Sequence, residues 1–252
     1  MTPRRIRVGL VVPSSNTTME TELPELLRRV EEPLGVRFTF HSARMPMRTV
    51  DLAELKRMDG NADDCAKSLG DAGVDVLAYA CLVAVLVQGS SYASSLEQRL
   101  GDAAAAQGPR PGVVTSASAL IDGVKKLGAQ RVALIAPYLR PLTDTVIARL
   151  DDAGIDVVDS LSLEIPSNAE VGARDPLALV ELARRLDTSR ADAVVLSACV
   201  QMPSLAAIPL VEEALGKPVL SAATATTRSV LDSLGLPPRI PGAGALLAGG
   251  VA

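Results

Sequence analysis

Histidine is almost missing from this chain: His41 is the only one among 252 residues. It follows a strand-like segment with nothing to mark a site, so a cysteine protease built on an imidazole base is excluded. Tryptophan is absent and aromatics make up 2% of the residues, which leaves a core of small aliphatic side chains and no platform for stacking bases. No block of Lys or Arg stands apart from acidic neighbours, and the net charge is −4, which argues against nucleic acid as a partner. An anionic ligand must then be held by local donors and not by the overall field. The longest uninterrupted apolar run, Val76 to Val87, falls short of the roughly 20 residues that span a bilayer, so no membrane segment is expected. Met1-Thr2-Pro3-Arg4-Arg5 leads directly into a strand-like run without the apolar region and cleavage site of a signal peptide. A cytoplasmic protein is expected, and its three cysteines are expected to be thiols.

What is present is a repetition. Asp75-Val76-Leu77-Ala78-Tyr79-Ala80-Cys81-Leu82-Val83 and Asp192-Ala193-Val194-Val195-Leu196-Ser197-Ala198-Cys199-Val200 look like copies of one another. Each is a continuous apolar run without alternation, the pattern of a strand buried on both faces of a parallel sheet. Each closes on Ala-Cys and an apolar residue. Ligands of open α/β sheets bind at the carboxyl ends of the strands, so both thiols are expected at the mouth of one site.

Around these strands the chain reads twice as β-α-β-α-β-α-β-α. Arg7 to Pro13 is a first strand, and Ser14-Ser15-Asn16-Thr17-Thr18-Met19-Glu20 is a turn into a helix running to about Val30. Thr17 and Glu20 have capping-box spacing, and the small polar residues suggest a carboxylate-sized anion pocket with free N–H groups. Val36 to Phe40 is a second strand. Leu52 to Gly73 is helical with a break at Gly60-Asn61, and Cys65 within it is a core residue. After the Cys81 strand come a helix from Ser94 to Ala106, a strand from Gly112 to Thr115 and a helix from Ser118 to Leu127. Gln130 to Pro137 then mirrors the first strand, and Ile155 to Val158 the second; the loop after it carries Pro166-Ser167-Asn168. The Cys199 strand, a helix from Leu205 to Leu215, a short strand Pro218 to Ser221 and a helix from Ala222 to Leu234 complete the copy. The tail from Leu236 to Ala252 is expected to wrap the surface.

The expected fold is α/β, with two pseudo-symmetric lobes, each a roughly four-stranded parallel sheet flanked by helices, and a site in the cleft between them. The first lobe is assigned residues 1–116 with 222–252 returning to it, the second residues 117–221.

With Val12-Pro13-Ser14-Ser15-Asn16-Thr17-Thr18-Met19-Glu20, Tyr79-Ala80-Cys81-Leu82-Val83, Ala136-Pro137-Tyr138, Pro166-Ser167-Asn168 and Ser197-Ala198-Cys199-Val200-Gln201-Met202-Pro203 assembled in order, the chain resembles the maleate cis-trans isomerases of the aspartate/glutamate racemase superfamily. The resemblance implies a cytoplasmic enzyme with no cofactor and no metal, a homodimer, that converts a small dicarboxylate, maleate, to fumarate late in microbial nicotinate breakdown. It implies Cys81 as nucleophile and Cys199 as its thiol partner. Asn16, Tyr138 and Asn168 are implied as carboxylate ligands and Val83 as a backbone N–H donor, with Pro13 and Ser15 beside the substrate.

The residues admit that chemistry on their own terms. A double bond rotates only if it is made temporarily single, and a thiolate adding beside a carboxylate does this. The second thiol can supply and retrieve the proton. Helix N-termini near the strand ends are expected to lower the thiol pKa values. Arg44, Arg48 and Arg140 lie on candidate loops, but the neutral donors rank above them. Bland alternatives stand beside these roles: Tyr138 closing a strand, Asn168 stabilising a turn, the cysteines merely packing. Three rival activities also remain. An amino-acid racemase would use the same thiols, but its usual Asn-Thr after the first cysteine is replaced here by Leu82-Val83. An arylmalonate decarboxylase needs only one thiol. A carboxylate-binding protein would need neither.

Overall fold

The computed structural model describes residues 3–249. Met1, Thr2 and the last three residues of the tail lie outside the described residues. The first half runs β1 (Arg4–Pro13), α1 (Met19–Arg28), α2 (Glu31–Leu34), β2 (Val36–Met45), α3 (Leu52–Asp59), α4 (Ala62–Asp71), β3 (Val76–Tyr79), α5 (Leu82–Leu86), α6 (Tyr92–Ala104), β4 (Gly112–Thr115) and α7 (Ser116–Lys126). The second runs β5 (Arg131–Ala136), α8 (Arg140–Asp152), β6 (Asp156–Ser162), α9 (Asn168–Gly172), α10 (Ala178–Arg184), β7 (Ala193–Ser197), α11 (Ile208–Leu215), β8 (Val219–Ser221) and α12 (Ala222–Ser233).

Two four-stranded sheets result, ordered β2-β1-β3-β4 and β6-β5-β7-β8, and every neighbouring pair is parallel. The fold is therefore the α/β pair of lobes that the repetition implies. The copying extends to side chains. Asp75, just before β3, accepts from Arg7 N at 2.7 Å, and Asp192, just before β7, accepts from Arg131 N at 2.9 Å. Each aspartate ties the start of its strand to the neighbouring one. At the other end, Ala80 N bonds Val11 O and Ala198 N bonds Ile135 O, each extending the ladder one residue past the strand. The chain leaves the sheet there, and both cysteines follow at once.

β3 and β7 are buried along their whole length, so they read as continuous apolar runs. The same property disguises α5. Leu82 to Leu86 are all buried, so no polar face gives the helix a period, and its apolar run reads as more strand. Cys81 is thus the N-cap of a short helix and not the last residue of a strand. The break between α3 and α4 falls at Gly60-Asn61, and Asp51 caps α3 by accepting from Glu54 N at 2.9 Å.

Two local expectations are overturned. The Thr17–Glu20 capping box does not form: Asn16 Oδ1 takes Met19 N at 3.0 Å, and Glu20 instead pairs with Arg44. The tail is more than a surface wrap, because Ile240, Ala243, Leu246 and Leu247 are buried and a bridge joins Arg239 to Ala248. Before the tail, α12 packs against α7, α1 and β4. Among the described residues no helix is long and apolar enough to cross a membrane.

The flanking helices pack closely where glycine allows it. A Cβ on Gly70 of α4 would lie 2.2 Å from the Ala104 carbonyl oxygen at the end of α6. Gly70→Ala should force these helices apart at a cost of about 1–3 kcal/mol, the range for overpacking. Thermal melting reads this as a lowered Tm; an unchanged Tm would show that the contact relaxes freely.

Candidate active site

The carboxyl ends of β3 and β7 face one another across a small cavity lined by Cys81, Cys199, Asn16, Tyr138, Asn168 and Val83, with Pro13, Ala80, Leu82 and Val200 completing its wall. Met47 and Val50, from the segment after β2, and Gln201 line it as well. Its volume is about 20 Å³, room for about one water. Larger grooves exist elsewhere, such as one of about 420 Å³ beside Arg149 and Glu97, but it holds neither thiol. The segment of Met47 and Val50 is tied to the opposite lobe: Thr49 bridges Ser167, and Val50 N donates to Pro166 O at 3.4 Å.

Every expected site residue except Ser15 lines the cavity. Ser15 stands behind it, where its hydroxyl accepts from Asn168 Nδ2 at 2.8 Å across the lobe boundary. Asn16 is buried with its carbonyl spent on the α1 cap, which leaves its amide hydrogens for the cavity. Val83 sits in the first turn of α5, where backbone N–H groups have no partner within the helix. Tyr138 Oη donates to Ala198 O at 3.0 Å, beside Cys199.

The anion pocket expected at the Ser14–Thr18 turn is not open. Thr17 N and Thr18 N donate to Gln201 Oε1, Ser14 N donates to Met45 O, and Asn16 N donates to Pro13 O. Two of the turn's donors, Thr17 N and Thr18 N, hold the lobes together, and the turn residue that lines the cavity is Asn16. Arg44 braces the same turn from outside through Ser14 O and Asn16 O. Arg48 and Arg140 are likewise absent from the lining, and Arg140 pairs with Asp144. No Lys, Arg or His is among the lining residues.

Sequence reasoning passes over Gln201, which lines the cavity and bonds both lobes, and Glu22, a buried carboxylate of α1 that accepts from Ser204 N at 2.6 Å and Leu205 N at 2.8 Å. Burial raises the Glu22 pKa, opposed by the backbone N–H groups of Leu205 and Ser204. Cys65 is buried in α4, as its place in the helical pattern suggests, and His41 pairs with Thr39 within β2.

The thiols are 5% and 6% exposed, and this decides their electrostatics. Burial pushes the Cys81 pKa up to about 12, with the Ala84 N–H opposing and the charges of Cys199 and Asp59 adding. Burial also raises Cys199, opposed by the Tyr138 hydroxyl and then by the N–H groups of Gln201 and Met202. Helix N-termini therefore do not lower these thiols below their ordinary value; loss of water outweighs the donors. Tyr138 is raised well above the usual phenol, first by burial and then by Cys199, so it is a neutral donor.

The family model for arylmalonate decarboxylase matches residues 8–247. A maleate isomerase from Geobacillus stearothermophilus is 55% identical over 247 residues, 98% of each chain. Among solved structures, a cysteine-to-alanine variant of the maleate isomerase Iso from Pseudomonas putida S16 with maleate superposes with a TM-score of 0.96 at 49% identity, over 98% of each chain. A cysteine-to-serine variant of Nocardia farcinica maleate cis-trans isomerase, with a covalently bound succinylcysteine intermediate, gives 0.93 at 45% identity, over 98% of this chain and 100% of that one. A pair of thiols on one closed cavity, in a chain alike from end to end with these enzymes, leaves no doubt of kinship: the chain belongs to the maleate isomerases, within the wider family that the arylmalonate decarboxylase model describes.

Proposed function

We propose that this protein converts maleate to fumarate without a cofactor, by reversible addition of a cysteine thiolate to the double bond. The observation that carries the reading is the pair of thiols facing one cation-free cavity between the lobes. The succinylcysteine held by the Nocardia farcinica relative supports it, because that adduct is what addition of a thiolate and a proton to maleate leaves behind.

In the steps we assign, Cys81 Sγ adds to one alkene carbon. The π pair moves to the other alkene carbon, which takes the proton of Cys199. The former double bond is now single and rotates. Cys199 then takes the proton back, the carbon–sulfur bond breaks, and fumarate and the Cys81 thiolate are released. Proton transfer by a positioned group of this kind is worth ~10²–10⁴ in rate.

The carboxylates would be held by Asn16, Asn168, the Val83 N–H and Tyr138, whose one hydrogen would turn from Ala198 O to the substrate. Neutral donors suit the reaction, because charge flows onto a carboxylate during addition and then returns. Donors aimed at that charge lower the barrier without trapping the product as a tight ion pair would. An amino-acid racemase would need a group to hold the substrate ammonium. The lining provides no carboxylate for one.

On the family resemblance we further propose that the protein works as a cytoplasmic homodimer in nicotinate breakdown. We also propose that its lobes divide as 1–116 with 222–252 and 117–221, α12 then packing on α1 and β4 of the first lobe and on α7 of the second.

The direct test is proton NMR of maleate with purified protein and nothing added: fumarate should accumulate, and unchanged maleate would overturn the reading. Cys81→Ala should lower turnover by at least ~10³-fold and Cys199→Ala by ~10²–10⁴-fold, with the fold intact by circular dichroism. Wild-type turnover in either variant would remove the two-thiol mechanism. Because both thiol pKa values are raised, the protein with one thiolate is the minor form at neutral pH and grows as pH rises. kcat/KM should therefore increase with pH from about 7 to 9; a profile flat over that range would mean a thiolate already formed at rest.

A further inference from the structure

Gln201 lies two residues past Cys199, and only 2% of its surface is exposed. Its side chain borders the cavity, yet has nothing left to offer a ligand. Oε1 accepts from Thr17 N at 2.9 Å and Thr18 N at 3.3 Å, while Nε2 donates to Ser15 O and Asn168 O, both at 3.0 Å. A carboxamide has two acceptor positions and two donor hydrogens, so all four are consumed. Its main chain is engaged as well. The carbonyl accepts from Thr18 Oγ1 at 2.7 Å, and the N–H donates to Cys199 Sγ at 3.4 Å.

One residue thereby joins three segments: the turn that carries Asn16, the start of the helix that carries Asn168, and the loop that carries Cys199. A second observation comes from the other side of the amide. A Cβ on Gly172, at the end of α9, would lie 2.2 Å from Gln201 Nε2 and 2.9 Å from its Cδ. Gly172 has no left-handed backbone to account for it. The missing side chain there makes the space in which the Gln201 amide lies.

We propose that Gln201 is a positioning residue that sets the separation of the two carboxylate-holding amides, Asn16 and Asn168, and their distance from Cys199, with Gly172 reserving its place. The inference rests on the isomerase reading given above. Maleate holds its two carboxylates at a short, nearly fixed separation, and the donors on opposite lobes must match it. A misplacement of about 1 Å in a reacting site can cost ~10²-fold. Gln201 touches no reacting atom; it acts through the segments it holds. The lobe boundary does not depend on it alone, because Glu22 ties α1 to Ser204 and Leu205 separately. Removal of the amide should therefore disturb the site more than the fold.

The test measures KM, kcat and Tm for maleate isomerisation by the full-length protein carrying Gln201→Met or Gly172→Ala. Both should raise KM by ~10-fold or more while kcat falls less, although Gly172→Ala removes no hydrogen-bonding group. In an Asn16→Ala background the same substitutions should change KM by under ~3-fold, because one of the groups they position is gone. A lowered Tm with wild-type KM would reduce Gln201 to a structural clamp and overturn the proposal. So would losses that simply multiply in the Asn16→Ala background. Should Gln201→Met fail to fold, Gly172→Ala carries both arms. Failure of the isomerase reading itself is distinguishable, since the unsubstituted protein would then leave maleate unchanged.

Discussion

Exclusion of water from Cys81 and Cys199 is the constraint on which the rest of the site depends. A buried thiol resists ionisation, and burial dominates the pKa of both. The same dryness strengthens every donor that faces the cavity once charge appears there. Sulfur chemistry in such a place needs no cation and no imidazole. It needs the minor fraction of protein whose nucleophile has already lost its proton to solvent, beside N–H and O–H groups already aimed at the thiolate. Ala84 N–H stands by Cys81; Tyr138 and the N–H groups of Gln201 and Met202 stand by Cys199.

Keeping the cavity dry requires that two lobes with separate sheets meet without a gap. The seam is hydrogen-bonded and not merely apolar. Gln201 bonds the Ser15–Thr18 turn, Glu22 bonds the start of the Leu205 turn, and Asn168 bonds Ser15. These bonds fasten the loop bearing Cys199 to the lobe bearing Cys81. The two thiols are thus held on one body even though they belong to different sheets. The segment of Met47 and Val50 is held too, by the Ser14 hydroxyl on both Met47 N and Met47 O, by the Thr49–Ser167 bridge and by the 3.4 Å bond from Val50 N to Pro166 O.

Much of this is legible in the sequence because it is local. Parallel strands buried on both faces declare themselves as unbroken apolar runs, and the repeated Ala-Cys puts both thiols at equivalent strand ends. The same rule misleads at α5, where a helix buried on every side has the composition of a strand. The Ser14–Thr18 turn looks like an anion pocket because free N–H groups at a helix start are ordinarily available. Here two of them are claimed by a glutamine more than 180 positions away, and no local pattern reports that. Glu22 resembles any acid in the first turn of a surface helix until the second lobe covers it. The one hint for Gln201 is its polarity between Val200 and Met202, two residues after a cysteine of the site.

The central claim is that Cys81 bonds covalently to substrate carbon while Cys199 handles the proton. Mass mapping of a Cys199→Ser variant, quenched during incubation with maleate, tests it most directly. With the substituted hydroxyl still able to give a proton but too weak a base to take it back, the account predicts a peptide containing Cys81 heavier by one maleic acid, the mass of a succinyl adduct. An active unsubstituted protein whose variant carries no adduct, or carries it on Cys65 instead, would contradict it.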